Sequence, residues 1–108
     1  MSAIGVIATL RVQPGKEEAF EGVFAELAAA VQANEPGNSY YKLFRTAEAG
    51  VYRVLECYDD EAAVEAHRAS DHFRTLGAKL GPCLAGAPEI EPPLTLSNSF
   101  GMPSLSRQ

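Results

Sequence analysis

The chain has 108 residues, 46% hydrophobic and 21% charged, with 9 Lys and Arg against 14 Asp and Glu and a net charge of −5. That length suits one domain whose folding buries roughly 60–70% of the unfolded surface, so its single core is shallow. The basic residues stand singly, which excludes the positive stripe needed by nucleic acid or an anionic membrane, and no apolar run nears the roughly 18 residues of a membrane span.

The N-terminus carries no basic segment ahead of an apolar stretch, so no signal peptide is expected. Cys57 and Cys83 form no Cys-x-x-Cys unit, and the cytoplasm is the simplest compartment.

In chain order, Ile4 to Val12 alternates, with Ile4, Val6, Ala8, Leu10 and Val12 on one face and Gly5, Ile7, Thr9 and Arg11 on the other. Ile7 implies that the second face is also partly covered. Gln13-Pro14-Gly15 breaks the strand and launches a helix from Lys16 to about Asn34. In it Phe20, Val23, Phe24, Leu27, Ala28 and Val31 form one stripe at the 3.6-residue period. Glu17, Glu18 and Glu21 sit in its first turns, where the helix dipole favours anions, and read as a solvated face. Asn34-Glu35-Pro36-Gly37 ends it.

Ser39 to Arg45 predicts a second strand with Tyr41 and Leu43 on one face and Tyr40, Lys42 and Phe44 on the other. After a turn at Ala47-Glu48-Ala49-Gly50, Val51 to Tyr58 completes an antiparallel hairpin. Asp59-Asp60-Glu61 opens a second helical region, broken near Ser70-Asp71, where a new helix carries Phe73, Leu76 and Leu80. Glu89 to Leu96 is a last, weaker strand in which Pro92-Pro93 implies an edge or a bulge. Residues 1–96 form the domain and 97–108 a polar tail.

The order βαββαβ predicts an α+β, ferredoxin-like fold with a four-stranded antiparallel sheet. Its helices cover one sheet face, so the other is expected to pair with a second copy as a homodimer.

Four segments resemble the antibiotic biosynthesis monooxygenase family. They are Val12-Gln13-Pro14-Gly15-Lys16-Glu17, Glu35-Pro36-Gly37-Asn38 leading into Tyr41-Lys42-Leu43-Phe44-Arg45, Glu56-Cys57-Tyr58-Asp59-Asp60-Glu61, and Ala66-His67-Arg68-Ala69-Ser70-Asp71-His72-Phe73. The resemblance covers about residues 4–96 and implies a dimeric α+β barrel with one pocket per subunit between sheet and helices. It admits oxygenases of polycyclic quinols and phenols, haem-degrading enzymes, and an isomerase of a phosphorylated signalling sugar. The haem-degrading triad would fall on Ala8, His67 and Gly77; none matches, and the chain has no tryptophan. Tyr58 stands where many family members carry tryptophan, adding a hydroxyl that needs a partner.

His67 is the candidate catalytic base, because imidazole abstracts protons near neutral pH; the alternative is a histidine that caps or bridges structure. Tyr41 and Tyr58 are candidate hydrogen-bond donors to a substrate anion, and Phe24, Phe73 and Leu76 candidate pocket walls; all five can equally be core or interface. His72, at a helix start, reads as local or solvent-facing. Arg45 and Arg53 are strand cations expected to pair with Glu56, the alternative being to neutralise a substrate anion.

No phosphate loop, dinucleotide fingerprint or G-x-S-x-G is present. His67 and His72, five apart, would fall on different sides of one helix, so no metal and no other cofactor is expected, with dioxygen as co-substrate. The expected function is a cofactor-independent monooxygenase acting on a small aromatic quinol or phenol. The alternatives are a non-catalytic small-molecule or stress-response binding module, and an isomerase using the same pocket.

Overall fold

The computed structural model describes residues 2–98, and the tail residues 99–108 lie outside them. Its elements run β1 (Ile4–Arg11), α1 (Glu17–Asn34), β2 (Asn38–Arg45), β3 (Val51–Tyr58), α2 (Glu61–Ala69), α3 (Asp71–Leu80), a short 3-10 helix (Gly81–Cys83), β4 (Glu89–Ile90) and β5 (Leu94–Thr95).

The sheet is antiparallel, in the order β2-β3-β1-β4, with β5 also on β1. The expected last strand is therefore split. Pro92 and Pro93 lack the N–H groups that would continue the ladder. Ile90 pairs with Ala8 and Leu94 with Gly5, on either side of the proline step. The backbone N–H groups of Glu91 and Leu96 still reach the carbonyls of Ile7 and Ala3, at 3.0 and 2.9 Å.

The α1 stripe does what its spacing dictates. Phe20, Phe24, Leu27 and Val31 are buried against Ala8, Leu10, Tyr52 and Val54 of the sheet. Burying each such side chain stabilises the fold by roughly 1.5–3 kcal/mol. Gly50 closes the hairpin at φ +80°, and a Cβ there would stand 3.1 Å from the Val12 carbonyl oxygen, so glycine is required.

Arg45 does not pair with Glu56. It reaches across to α1, its Nε and Nη2 donating to Glu21 at 3.0 and 2.9 Å, while the Tyr52 hydroxyl donates to the same carboxylate at 2.6 Å. Glu21 is thus tied down rather than part of a free solvated face. Arg45 stands opposite Tyr52 and Glu56 opposite Tyr41, on one face of the hairpin but four positions apart, roughly 13 Å along the strands, so Arg45 meets Glu21 instead. Arg53, opposite Phe44, leaves the sheet on the other face from Glu56.

The face away from the helices carries Ile7, Tyr40, Phe44, Leu55 and Leu94, with Tyr40, Phe44 and Leu94 well exposed. Among the described residues no helix is long and apolar enough to cross a membrane.

Candidate active site

The region between α2 and α3 decides the site. Asp60 caps α2 by accepting from the Ala63 backbone N–H at 2.9 Å. Ser70 then stops the helix. Its extended backbone (φ −71°, ψ 151°) breaks the rod, its hydroxyl donates to the His67 carbonyl at 2.7 Å, and it accepts from the Phe73 N–H at 3.2 Å to cap α3. A continuous helix would turn His67 and His72 apart. Across the break they converge.

They converge on Glu35, the residue that ends α1 just before Pro36. His67 Nδ1 lies 3.1 and 2.9 Å from the two carboxylate oxygens, and His72 Nε2 makes a short hydrogen bond to Oε2. The side chains of Glu35 and His67 are 7% and 4% exposed, so this carboxylate works away from water. Ionised carboxylate only accepts, so both imidazoles donate to it. His67 in its neutral form therefore carries its proton on Nδ1 and keeps a lone pair on Nε2. His72 is accordingly not a solvent-facing residue.

Among the described residues every deeply buried side-chain nitrogen or oxygen has a hydrogen-bond partner. His67 Nε2 has none, and the ring lines a cavity of about 370 Å³ between the sheet and the helices, so Nε2 opens there. The ring is braced by Tyr41, Tyr58 and Phe73, with centroids 5.2, 5.6 and 4.7 Å away. Val6, Ala8, Leu10 and Leu27 supply much of the apolar wall. The volume falls within the roughly 300–1,000 Å³ typical of small-molecule sites.

Of the candidate pocket residues, Phe24, Tyr41, Tyr58 and Phe73 line the cavity. Leu76 does not; it packs on the core beside α1. On α3 the cavity side is Phe73, Arg74, Gly77 and Leu80, a stripe at i, i+1, i+4 and i+7 that leaves Leu76 outside the lining. Tyr58 is fully buried, and its hydroxyl donates to Glu56 Oε1 at 2.6 Å, so that proton is not free for a substrate. The Tyr41 hydroxyl has no such commitment among the described residues.

Burial first, then the nearby carboxylates of Glu56 and Glu35, pushes the Tyr41 phenol far above its ordinary range. Burial and then Glu56 do the same for Tyr58. Both remain neutral hydrogen-bond donors. Glu56 also lines the cavity, and burial raises its carboxyl despite the opposing Tyr58 hydrogen bond and the charges of His67 and Arg68.

Glu35 and Glu56 are polar groups of this region that sequence reasoning did not place in the site, Glu56 being expected only as an ion-pair partner. Glu35 lies 32 positions from His67, and no periodicity connects them. Its position in the Glu-Pro-Gly helix stop was the available signal. Glu35, His67 and His72 are also of metal-ligating type, each with one ligand atom within 4.8 Å of the others. Hydrogen bonds already join these atoms, so a cation would have to displace both imidazole protons.

Comparison with known proteins bears on this site. The family described as antibiotic biosynthesis monooxygenase matches residues 3–79. The Bacillus subtilis (strain 168) protein named "Putative monooxygenase YcnE" is 37% identical over 82 residues, covering 75% of this chain and 84% of its own. A crystal structure from Caulobacter crescentus CB15, described as a "putative antibiotic biosynthesis monooxygenase", is 50% identical, with a TM-score of 0.86 over 90% of this chain and 92% of that one. SnoaB from Streptomyces nogalater, a cofactor-independent oxygenase crystallised as the N63A mutant, shares the fold at a TM-score of 0.78 and 21% identity, covering 94% of this chain and 100% of its own. On the extent of the profile match and the Bacillus relative, this chain belongs to the antibiotic biosynthesis monooxygenase family.

Proposed function

We propose that the protein is a cofactor-independent monooxygenase that oxidises a small aromatic quinol or phenol with dioxygen, using His67 as the base. The observation that carries this reading is the lone pair of His67 Nε2 facing an otherwise mostly apolar cavity, with Nδ1 held by a buried carboxylate. Such a base takes the substrate hydroxyl proton, and Glu35 stabilises the imidazolium that results. The substrate oxyanion then becomes the electron donor to dioxygen. One oxygen atom bonds to a ring carbon, the other leaves as water, and a quinol ends as a hydroxyquinone. The Tyr41 hydroxyl is the donor for the oxyanion, and the apolar walls exclude competing water.

A second copy covers the open sheet face, where Ile7, Phe44, Leu55 and Leu94 otherwise meet water. Both cysteines are free, Cys57 half-buried and Cys83 buried, which fits a reducing cytoplasm. The test is oxygen uptake by metal-stripped protein across a quinol and phenol panel. Uptake that falls by roughly 10²–10⁴-fold in His67→Ala supports the reading. No uptake with any substrate removes it in favour of a binding module or an isomerase, and equal rates in His67→Ala remove the base.

A further inference from the structure

The cavity wall carries a second polar group built like the first. His67 has one ring nitrogen anchored by Glu35 and the other open; Glu56 has Oε1 anchored by the Tyr58 hydroxyl and Oε2 without a partner among the described residues. Since deeply buried polar atoms there are all paired, Oε2 is left open to the cavity that Glu56 lines. Val54 and Tyr58, on the same face of β3, enclose it with apolar surface. A carboxyl stripped of water in such surroundings is costly unless a ligand meets it.

The chemistry of that ligand is constrained. Arg68 and Arg74 line the same cavity, and the charge of Arg68 acts on Glu56, which disfavours a cationic ligand. A hydroxyl both donates and accepts, so it suits Oε2 whether or not the carboxyl carries a proton. We propose that Glu56 is a second substrate-binding group, its Oε2 taking one hydroxyl while His67 Nε2 takes another, so that the cavity selects dihydroxyarenes over arenes bearing a single hydroxyl. This rests on the hydroxyarene reading above and narrows it from phenols to quinols and catechols.

The test is anaerobic calorimetric titration at mildly alkaline pH, where no turnover intervenes. Hydroquinone and catechol are each compared with their monomethyl ether, using wild type, Glu56→Leu and Glu56→Gln, all checked for folding by circular dichroism. The wild type binds the better dihydroxyarene at least about tenfold more tightly than its ether, as one hydrogen bond to a charged group requires. Glu56→Leu brings the two within about twofold, and Glu56→Gln, which keeps an acceptor oxygen, falls between them. An undiminished preference in Glu56→Leu, or none in the wild type, overturns the role of Glu56 and leaves the hydroxyarene site standing. Failure of all four compounds to bind wild type overturns both.

Discussion

Replacing Glu35 with glutamine tests the centre of the site, because the side chain keeps its shape and loses its charge. The carboxylate accepts from His67 Nδ1 and His72 Nε2 in a nearly dry environment. Each bond to a charged acceptor contributes roughly 1.5–3 kcal/mol, against roughly 0.5–1.5 for a neutral one. Two such exchanges cost about 2–3 kcal/mol, and the easier burial of a neutral amide offsets part, leaving about 2 kcal/mol. At roughly 4 °C per kcal/mol for a domain of this size, Tm falls by about 8 °C, measured by circular dichroism at fixed protein concentration. The amide also offers one acceptor and one donor to two imidazole N–H groups. With its oxygen in the place of Oε2 the amide still accepts from both rings, but its NH₂ in the place of Oε1 then opposes the His67 Nδ1 proton. That favours the other His67 tautomer, in which Nε2 gains a proton and ceases to be a base. Nitrogen-15 NMR of the histidine rings reads this directly. An unchanged Tm together with unprotonated Nε2 on His67 in Glu35→Gln refutes the account of the carboxylate as the group that sets the ring.

Three further outcomes follow from other contacts. A Cβ on Gly37 would stand 2.6 Å from the Ala63 Cβ, so Gly37→Ala destabilises by roughly 1–3 kcal/mol in urea unfolding, and adding Ala63→Gly recovers most of it; additive losses would show that the clash is not the cause. Ser70→Ala removes the α3 cap and costs about 1–2 kcal/mol, and because the break aims His72, it also shifts the His72 ring resonances; a stability loss with unmoved resonances separates the two roles. Burial raises the Glu56 carboxyl, so the folded state favours its neutral form: that contribution is fully present below about pH 4.3 and is lost as pH rises through the folded value. Glu56→Gln therefore gains Tm relative to wild type on going from acid to mildly alkaline pH, and a constant difference in thermal scans across that range contradicts the burial argument.

Much of the fold was legible in local pattern. The α1 stripe, the two faces of the hairpin and the break at Ser70 each depend on near-neighbour spacing, which sequence displays. The split of the last strand was half legible, since Pro92-Pro93 marked an irregularity without fixing which residues would pair with β1. The site was legible only where one residue sufficed. His67 could be singled out as a titratable group on a helix. Its partner could not, because the Glu35 contact exists only when the end of α1 is folded beside α2. The same three-dimensional convergence moved His72 from surface to site, and the register between α1 and the hairpin gave Arg45 to Glu21. Leu76 was misplaced by one helical step, since spacing shows that a helix has an apolar side but not which part borders a void.

The proline step between β4 and β5 also governs how copies of the chain can meet. A sheet rim with free N–H groups invites another strand to add on, and repeated addition has no natural end. Among the described residues that rim offers two-residue strands separated by Glu91, whose N–H is already used by the Ile7 carbonyl, and by Pro92 and Pro93, which cannot donate. Strand addition along that side is disfavoured, so the pairing proposed above would use the broad apolar face, where stacking is finished after a single partner.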